Sequence, residues 1–229
     1  MPRLQPFGEG LWLADGPAVS FLRIPYPTRM AVARLAGGAL WVWSPIRLDE
    51  ELRAEIDALG TVAWLVSPNK LHHLFLTDWM QAWPDAAAWA SPGLREKRAD
   101  LDFAGEFGSG APPWSEEIDH VVVEGSFALS EVLFFHRASS TLLACDLVQR
   151  FELQGLSAWQ RLVLRLDGLV GEHGSTPREW RLSFLRRAPA RAARDRALLW
   201  NPERLVVAHG MCAEHEGRAV CERALSWMG

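Results

Sequence analysis

Cysteine is scarce and scattered: Cys145, Cys212 and Cys221 are the only three in 229 residues. An odd set with no CxxC pair excludes a disulfide framework and fits reduced thiols, which read as small core filler. Positive charge is also short. Twenty-four Lys and Arg stand against 28 Asp and Glu, giving a net charge of −4 and a pI near 6.0. No global field therefore draws in nucleic acid or an anionic membrane surface. No uninterrupted apolar run reaches about 18 residues, and the opening "MPRLQPFGEGLWLADG" lacks an apolar core of signal-peptide length. The expectation is a cytoplasmic protein without membrane or nucleic-acid partners. Internal repeats are missing too. The one biased stretch, the Arg/Ala run from Arg186 to Arg196, reads as a solvated helix face.

What remains is an ordinary globular balance, 49% apolar and 23% charged, sufficient for a sizeable core. One domain over residues 1–229 is expected. "GLWLADG" and "AVSFLRI" read as strands, and "MAVARLAGGALWVWSP" as an antiparallel pair turned at "AGG". "LDEELRAEIDALG" has Asp49 as cap, apolar residues at Leu48, Leu52, Ile56 and Leu59, and a terminating Gly60, the signature of an amphipathic helix. It leads to "TVAWLVS", apolar on both faces and so interior to a sheet. "LFLTDWMQAWP" reads as helix and "AAAWAS" as strand, and the mixed, Gly- and Pro-rich stretch 93–117 as a surface excursion. "IDHVVVEGS", "EVLFFHRAS" and "STLLACD" form a second meander. Between about 148 and 202 the period turns helical, predicting an inserted helical pair in which Thr176 caps Pro177 and Pro189 kinks or divides the second segment. "ERLVVAHG" and a final helix close the chain.

Four polar residues sit where apolar strands run out: His72 and His73 after "TVAWLVSPNKL", Asp146 after "STLLAC", and His209 after "ERLVVA". Imidazole and carboxylate at the C-terminal ends of separate strands converge above a sheet, and three His with one Asp suit one divalent metal ion, zinc first, iron or manganese second. Adjacent histidines on an extended strand face opposite ways, so His72 and His73 converge only if the backbone turns there. The remaining histidines, His120, His136, His173 and His215, read as structural. Lys70, Arg29 and Asn69 are the candidate substrate contacts, Lys70 with its ammonium directed at Asp146.

This order of elements resembles the metallo-β-lactamase fold, and the resemblance implies a four-layer αββα sandwich, α/β (α+β) in class, with metal ligands along one edge. That superfamily opens its site with S/T-H-x-H-x-D-H. Here the matching place reads "SPNKLHH", which puts Pro68 and Lys70 at the first two histidines, His72 at the Asp and His73 at the last His. The histidine expected after Gly125 is Ser126, while "LLACD" and "VVAHG" match the bridging Asp and the closing His-Gly. The resemblance thus implies that one of two metal positions is lost and that the other keeps His72, His73, Asp146 and His209. The wording "SPNKLHHL", "YPTRM", "PGLREKR" and "VVAHG" is similar to the uncharacterised DUF4336 branch. The implied function is a mononuclear metal-dependent hydrolase of a small ester, thioester or lactone. The alternatives are an iron- or manganese-dependent redox enzyme and a catalytically inactive binding module.

Overall fold

Alternation along single strands sets the layers of the computed structural model, which describes residues 3–21 and 24–229. In β4 (Ala39–Trp43), Leu40 and Val42 face one way, while Trp41 and Trp43 face the other. Leu40 and Val42 meet Leu52 and Ile56 of α1 (Glu50–Leu59), Leu76 and Trp79 of α2 (Leu76–Ala82) and Leu94 of α3 (Leu94–Lys97). Trp41 and Trp43 instead meet the second sheet: Val132 and Phe134 of β9 (Glu131–His136), Leu143 of β10 (Thr141–Ala144) and Val206 of β11 (Arg204–Val207). The second sheet alternates likewise. Leu142, Ala144, Leu205 and Val207 pack outward on Trp180 of α5 (Arg178–Ser183), on the alanines of α6 (Arg187–Leu199) and on Val220 and Cys221 of α7 (Gly217–Ala224). Helices, sheet, sheet and helices therefore stack in four layers, as a period of two requires when both faces are covered.

The first sheet runs β1 (Gln5–Gly8), β2 (Leu11–Phe21), β3 (Ile24–Arg34), β4, β5 (Thr61–Val66), β6 (Ala87–Ala90) and β7 (Gly105–Glu106), in that order. It is antiparallel up to β4 and parallel from there. The second runs β11, β10, β9, β8 (Ile118–Val123), with β10 and β11 parallel. Parallel neighbours end on the same side. The loops after β4 and β5 in one sheet, and after β10 and β11 in the other, consequently open at one edge of the sandwich.

The inter-sheet core holds Trp41, Trp43, Trp89 and Trp114, whose indole N–H groups are buried without a partner among the described residues. Each unpaired donor costs about 1–3 kcal/mol, against roughly 5 kcal/mol from burying about 200 Å² of ring, so burial wins. Trp79 avoids the cost by donating to Ile46 O at 2.7 Å.

Several sequence expectations change. "GLWLADG" and residues 18–21 of "AVSFLRI" form one long strand, β2, with an irregularity between Gly16 and Val19, while Ile24 opens β3; Leu22 and Arg23 lie outside the described residues, as do Met1 and Pro2. The stretch 93–117 is not merely a surface excursion, because Leu94, Phe103, Phe107 and Trp114 plug the core and anchor it. Between β10 and β11 there are three helices rather than a pair: α4 (Ala158–Asp167), α5 and α6. The division falls at Phe184–Arg186, ahead of Pro189, which sits in the first turn of α6 where its missing N–H costs nothing. Thr176 does not cap α5 with its side chain; its hydroxyl donates to Leu147 O. No helix among the described residues is long and apolar enough to cross a membrane.

Candidate metal centre

At the shared open edge, His209 follows β11 and Asp146 follows β10, while His72 is carried by a series of turns over residues 69–75 after β5. His209 Nε2 lies 3.0 Å from Asp146 Oδ1, His72 Nε2 lies 3.4 Å from Asp146 Oδ2, and the two Nε2 atoms are 3.3 Å apart. Each outer nitrogen has a fixed neighbour. His209 Nδ1 is 2.7 Å from Pro27 O, and a carbonyl only accepts, so Nδ1 carries the proton and neutral His209 turns its Nε2 lone pair inward. His72 Nδ1 meets Ser44 Oγ at 2.8 Å. Ser44, just past the end of β4, holds a left-handed φ of 52°, the kind of backbone strain that accumulates at sites.

Asp146 is held from behind. Asn69 Nδ2 donates to its Oδ2 at 2.8 Å and to Glu131 Oε2 at 3.0 Å. Glu131, fully buried at the head of β9, accepts from the backbone N–H groups of Cys145, Asp146 and Leu147 at 2.8–3.2 Å. Burial, then the charge of Asp146, pushes the Glu131 carboxyl up to about 8, against the pull of these donors. Burial opposes ionisation of Asp146 as well, but His72 and His209 override it and hold the carboxyl well below the usual range. Burial pulls the His209 imidazole down; its hydrogen bond and charge interaction with Asp146 win and raise it.

His73 is not brought to this cluster. Although the backbone turns, its Nδ1 swings to Arg98 Nη1 at 3.1 Å. Arginine only donates, so His73 Nδ1 accepts, and the neutral ring then carries its proton on Nε2, which has no lone pair to offer a metal. Burial, followed by Lys97 and Arg98, lowers its pKa and keeps it neutral. Lys70 does not reach Asp146 either: Asn69 occupies that carboxylate edge, and the Lys70 stem runs past Gly93, its Cδ 3.7 Å from where a Cβ would lie there. Asn69 is fully buried and positions Asp146 rather than meeting a ligand. Arg29 is spent on structure, its Nη1 donating to Val207 O, Gly210 O and Cys212 Sγ and its Nε to Asp15, which fixes the turn carrying His209.

Ser44, Glu131 and Gln149 carried little signal in the sequence. Ser44 ends an apolar strand, the same signal that exposed Asp146. Glu131 looks like a solvated strand start. Gln149 borders the cavity above the cluster, donates weakly to Asp146 Oδ1 at 3.4 Å, and keeps a buried Oε1 without a partner among the described residues. Cys145, set aside as core filler, lies with its sulfur within 4.8 Å of donor atoms of His72 and Asp146, its thiol pushed up by burial.

The spacing fits a metal ion. A tetrahedral ion with bonds of about 2.0–2.1 Å needs donors about 3.3–3.4 Å apart, close to the separations of the two Nε2 atoms and the carboxylate. Each imidazole is oriented through its other nitrogen, as such ligands usually are.

The model for the "Domain of unknown function (DUF4336)" matches residues 11–160. The chain belongs to the DUF4336 family. Solved structures similar to this DUF4336 member share its metallo-β-lactamase fold at low identity. The metallo-beta-lactamase from Pontibacter korlensis superposes with a TM-score of 0.65 at 12% identity, covering 98% of this chain and 97% of that one. The DIM-1 metallo-beta-lactamase exposed to ceftazidime gives 0.65 at 11%, covering 97% and 95%. A metal-soaked Flv1 flavodiiron core from Synechocystis sp. PCC6803 gives 0.65 at 10%, covering 98% of this chain and 60% of that one. No curated protein matches the sequence.

Proposed function

We propose that His72, Asp146 and His209 hold one divalent metal ion, zinc in preference to iron or manganese, and that the protein hydrolyses a small ester, thioester or lactone. The observation that carries this reading is the convergence of two inward Nε2 atoms on one carboxylate, each within 3.4 Å of it, at the floor of a cavity. Such an ion, when bound, supplies a Lewis acid that lowers the pKa of water and polarises a carbonyl. With His73 turned to Arg98, the proposed set has three donors, and burial, which pushes the Cys145 thiol up, disfavours the thiolate that would add a fourth, so one position stays open.

The protein's own groups then have separate tasks. Pro27 O and Ser44 Oγ fix the two imidazoles, and Asn69 with Glu131 fixes Asp146. Gln149, at the cavity floor, donates weakly from Nε2 to Asp146 Oδ1 and helps hold that carboxylate in place. In the reaction the water oxygen bonds to the acyl carbon, and the C–O or C–S bond breaks with its pair on the leaving group. One water proton ends on that group and the other is released as the carboxylate forms.

Purified protein is expected to carry one metal per chain and to lose turnover on chelation across ester, thioester and lactone panels. Stoichiometric metal with no turnover on any of them overturns the hydrolase reading. Two imidazoles and one carboxylate with open positions are also the donor set of non-haem iron, which favours a redox enzyme as the second reading, and the flavodiiron core is among the similar folds. Anaerobic purification that yields zinc and no iron removes it.

A further inference from the structure

The cavity above the cluster has a volume of about 680 Å³, within the range of small-molecule pockets. Its surface divides by chemistry. Polar atoms gather at the floor, around Ser44, His72, Asp146, Gln149 and His209, while Ile46, Leu129 and Trp180 make the buried walls. At the mouth stand Leu71, Leu74 and Phe127, which are 50%, 64% and 75% exposed. Single exposed apolar residues need no explanation, but three large ones around one opening mark a surface that a ligand covers.

Charge divides as well. Lys70 and Lys97 border the cavity together, Lys97 Nζ donating to Lys70 O at 2.9 Å. Neither pairs with a carboxylate among the described residues, whereas the neighbouring Arg98 is neutralised by Asp100. Glu179 borders the cavity from α5 instead, beside Trp180.

We infer that the cavity takes a thioester or ester joining an apolar acyl chain to an anionic leaving group, with the carbonyl at the floor, the chain along the apolar wall and mouth, and the anion at Lys70 and Lys97. This rests on the hydrolase reading above. Two measurements test its halves separately. Calorimetric titration with straight-chain carboxylates from butanoate to decanoate should show Kd falling about three- to fourfold per added methylene. Phe127→Ser with Leu74→Ser, both at exposed positions, should flatten that series. Turnover of octanoyl thioesters should favour 3-mercaptopropionate over neutral 2-mercaptoethanol as leaving group, and Lys70→Met with Lys97→Met should erase the preference.

A flat chain-length series, or equal kcat/KM for the two thioesters, overturns the inference. Where short polar esters turn over while the series is flat, the hydrolase reading survives and the substrate class falls. A steep series with no thioester or ester turnover overturns hydrolysis, and with it the leaving-group assignment, while the apolar chain site stands.

Discussion

On the cavity floor, Pro27, Ser44, Asn69 and Glu131 each fix one edge of the His72–Asp146–His209 cluster, whereas at the mouth Leu71, Leu74 and Phe127 stand largely in water. The floor joins both sheets: Val132 N donates to Pro68 O at 2.8 Å, and Asn69 bridges to Glu131, so the loop after β5 is tied to the head of β9. That cross-tie holds donor atoms in place before any ligand arrives, the preorganisation that makes electrostatic and metal sites effective. At the mouth the backbone is tied as well, Leu71 N to Asn69 Oδ1 and Phe127 N to Ser183 O, but the apolar side chains themselves stand in water and hold no donor atom in place. Substitutions on the floor should therefore cost folding and metal binding, and substitutions at the mouth should cost neither.

The largest effect should come from Glu131→Ala. It strands the backbone N–H groups of Cys145, Asp146 and Leu147 in a buried site, and at about 1–3 kcal/mol per unsatisfied donor the loss is expected to be about 4 kcal/mol. Urea unfolding of wild type and variant measures it. A loss below about 1 kcal/mol would mean that water replaces the carboxylate and that the floor is not held from behind.

Next are the histidines. His72→Ala and His209→Ala should each lower metal affinity by about 100-fold or more, since even an outer-shell partner is worth about 10–100-fold. His73→Ala should leave the stoichiometry intact. Competition with a chromogenic chelator reads all three, and equal losses for His72→Ala and His73→Ala would return His73 to the ligand set.

The contrast between these two neighbours shows how far the sequence could be read. Asp146 and His209 stood out in the sequence because each ends an apolar run, whereas the parallel pairing of β10 with β11 that brings those two ends to one edge is visible only in the structure. His72 and His73 were not separable, because the deciding contact is Arg98, 25 residues further on. Glu131 was illegible for a related reason. At the head of "EVLFFH" a carboxylate looks solvated, and only the crossing of the loop after β5 buries it. The four layers were legible only through the resemblance of the element order to a known fold, since a strand such as β4 is apolar at every position and does not itself say what covers each face, while the aromatic anchors within 93–117 were hidden by the Gly- and Pro-rich stretch that carries them.

A smaller effect separates the metal-free from the loaded floor by pH. In metal-free protein, His209 is raised above its ordinary 6.5, so the stability it contributes is fully present below pH 6.5 and is lost as pH rises through the raised value. Asp146 is depressed below 3.8, so its contribution is present above that pH and is lost as pH falls through the depressed value. Metal-free protein should thus be most stable between these limits. A metal ion competes with the His209 proton, so loaded protein should gain on metal-free protein as pH rises. Melting temperatures of chelated and loaded samples from pH 4 to 9 should diverge on the alkaline side, and parallel curves would remove His209 from the metal site.

The smallest effect sharpens the boundary between floor and mouth. Lys70 and Asn69 are adjacent, yet Asn69 bonds Asp146 and Glu131 from a fully buried position, while the Lys70 stem passes Gly93 on the cavity's rim. Lys70→Met keeps that apolar stem and removes only a charge with no carboxylate partner among the described residues, so stability should change by less than about 0.5 kcal/mol and metal content not at all. Asn69→Leu removes the hydrogen bond to ionised Asp146 and the one to Glu131, whose carboxyl is pushed up to about 8, and should cost about 2–3 kcal/mol, the bond to the charged group being the stronger. Paired urea unfolding and metal analysis compare them directly. A loss of metal on Lys70→Met would place the ammonium against Asp146 and move Lys70 from mouth to floor.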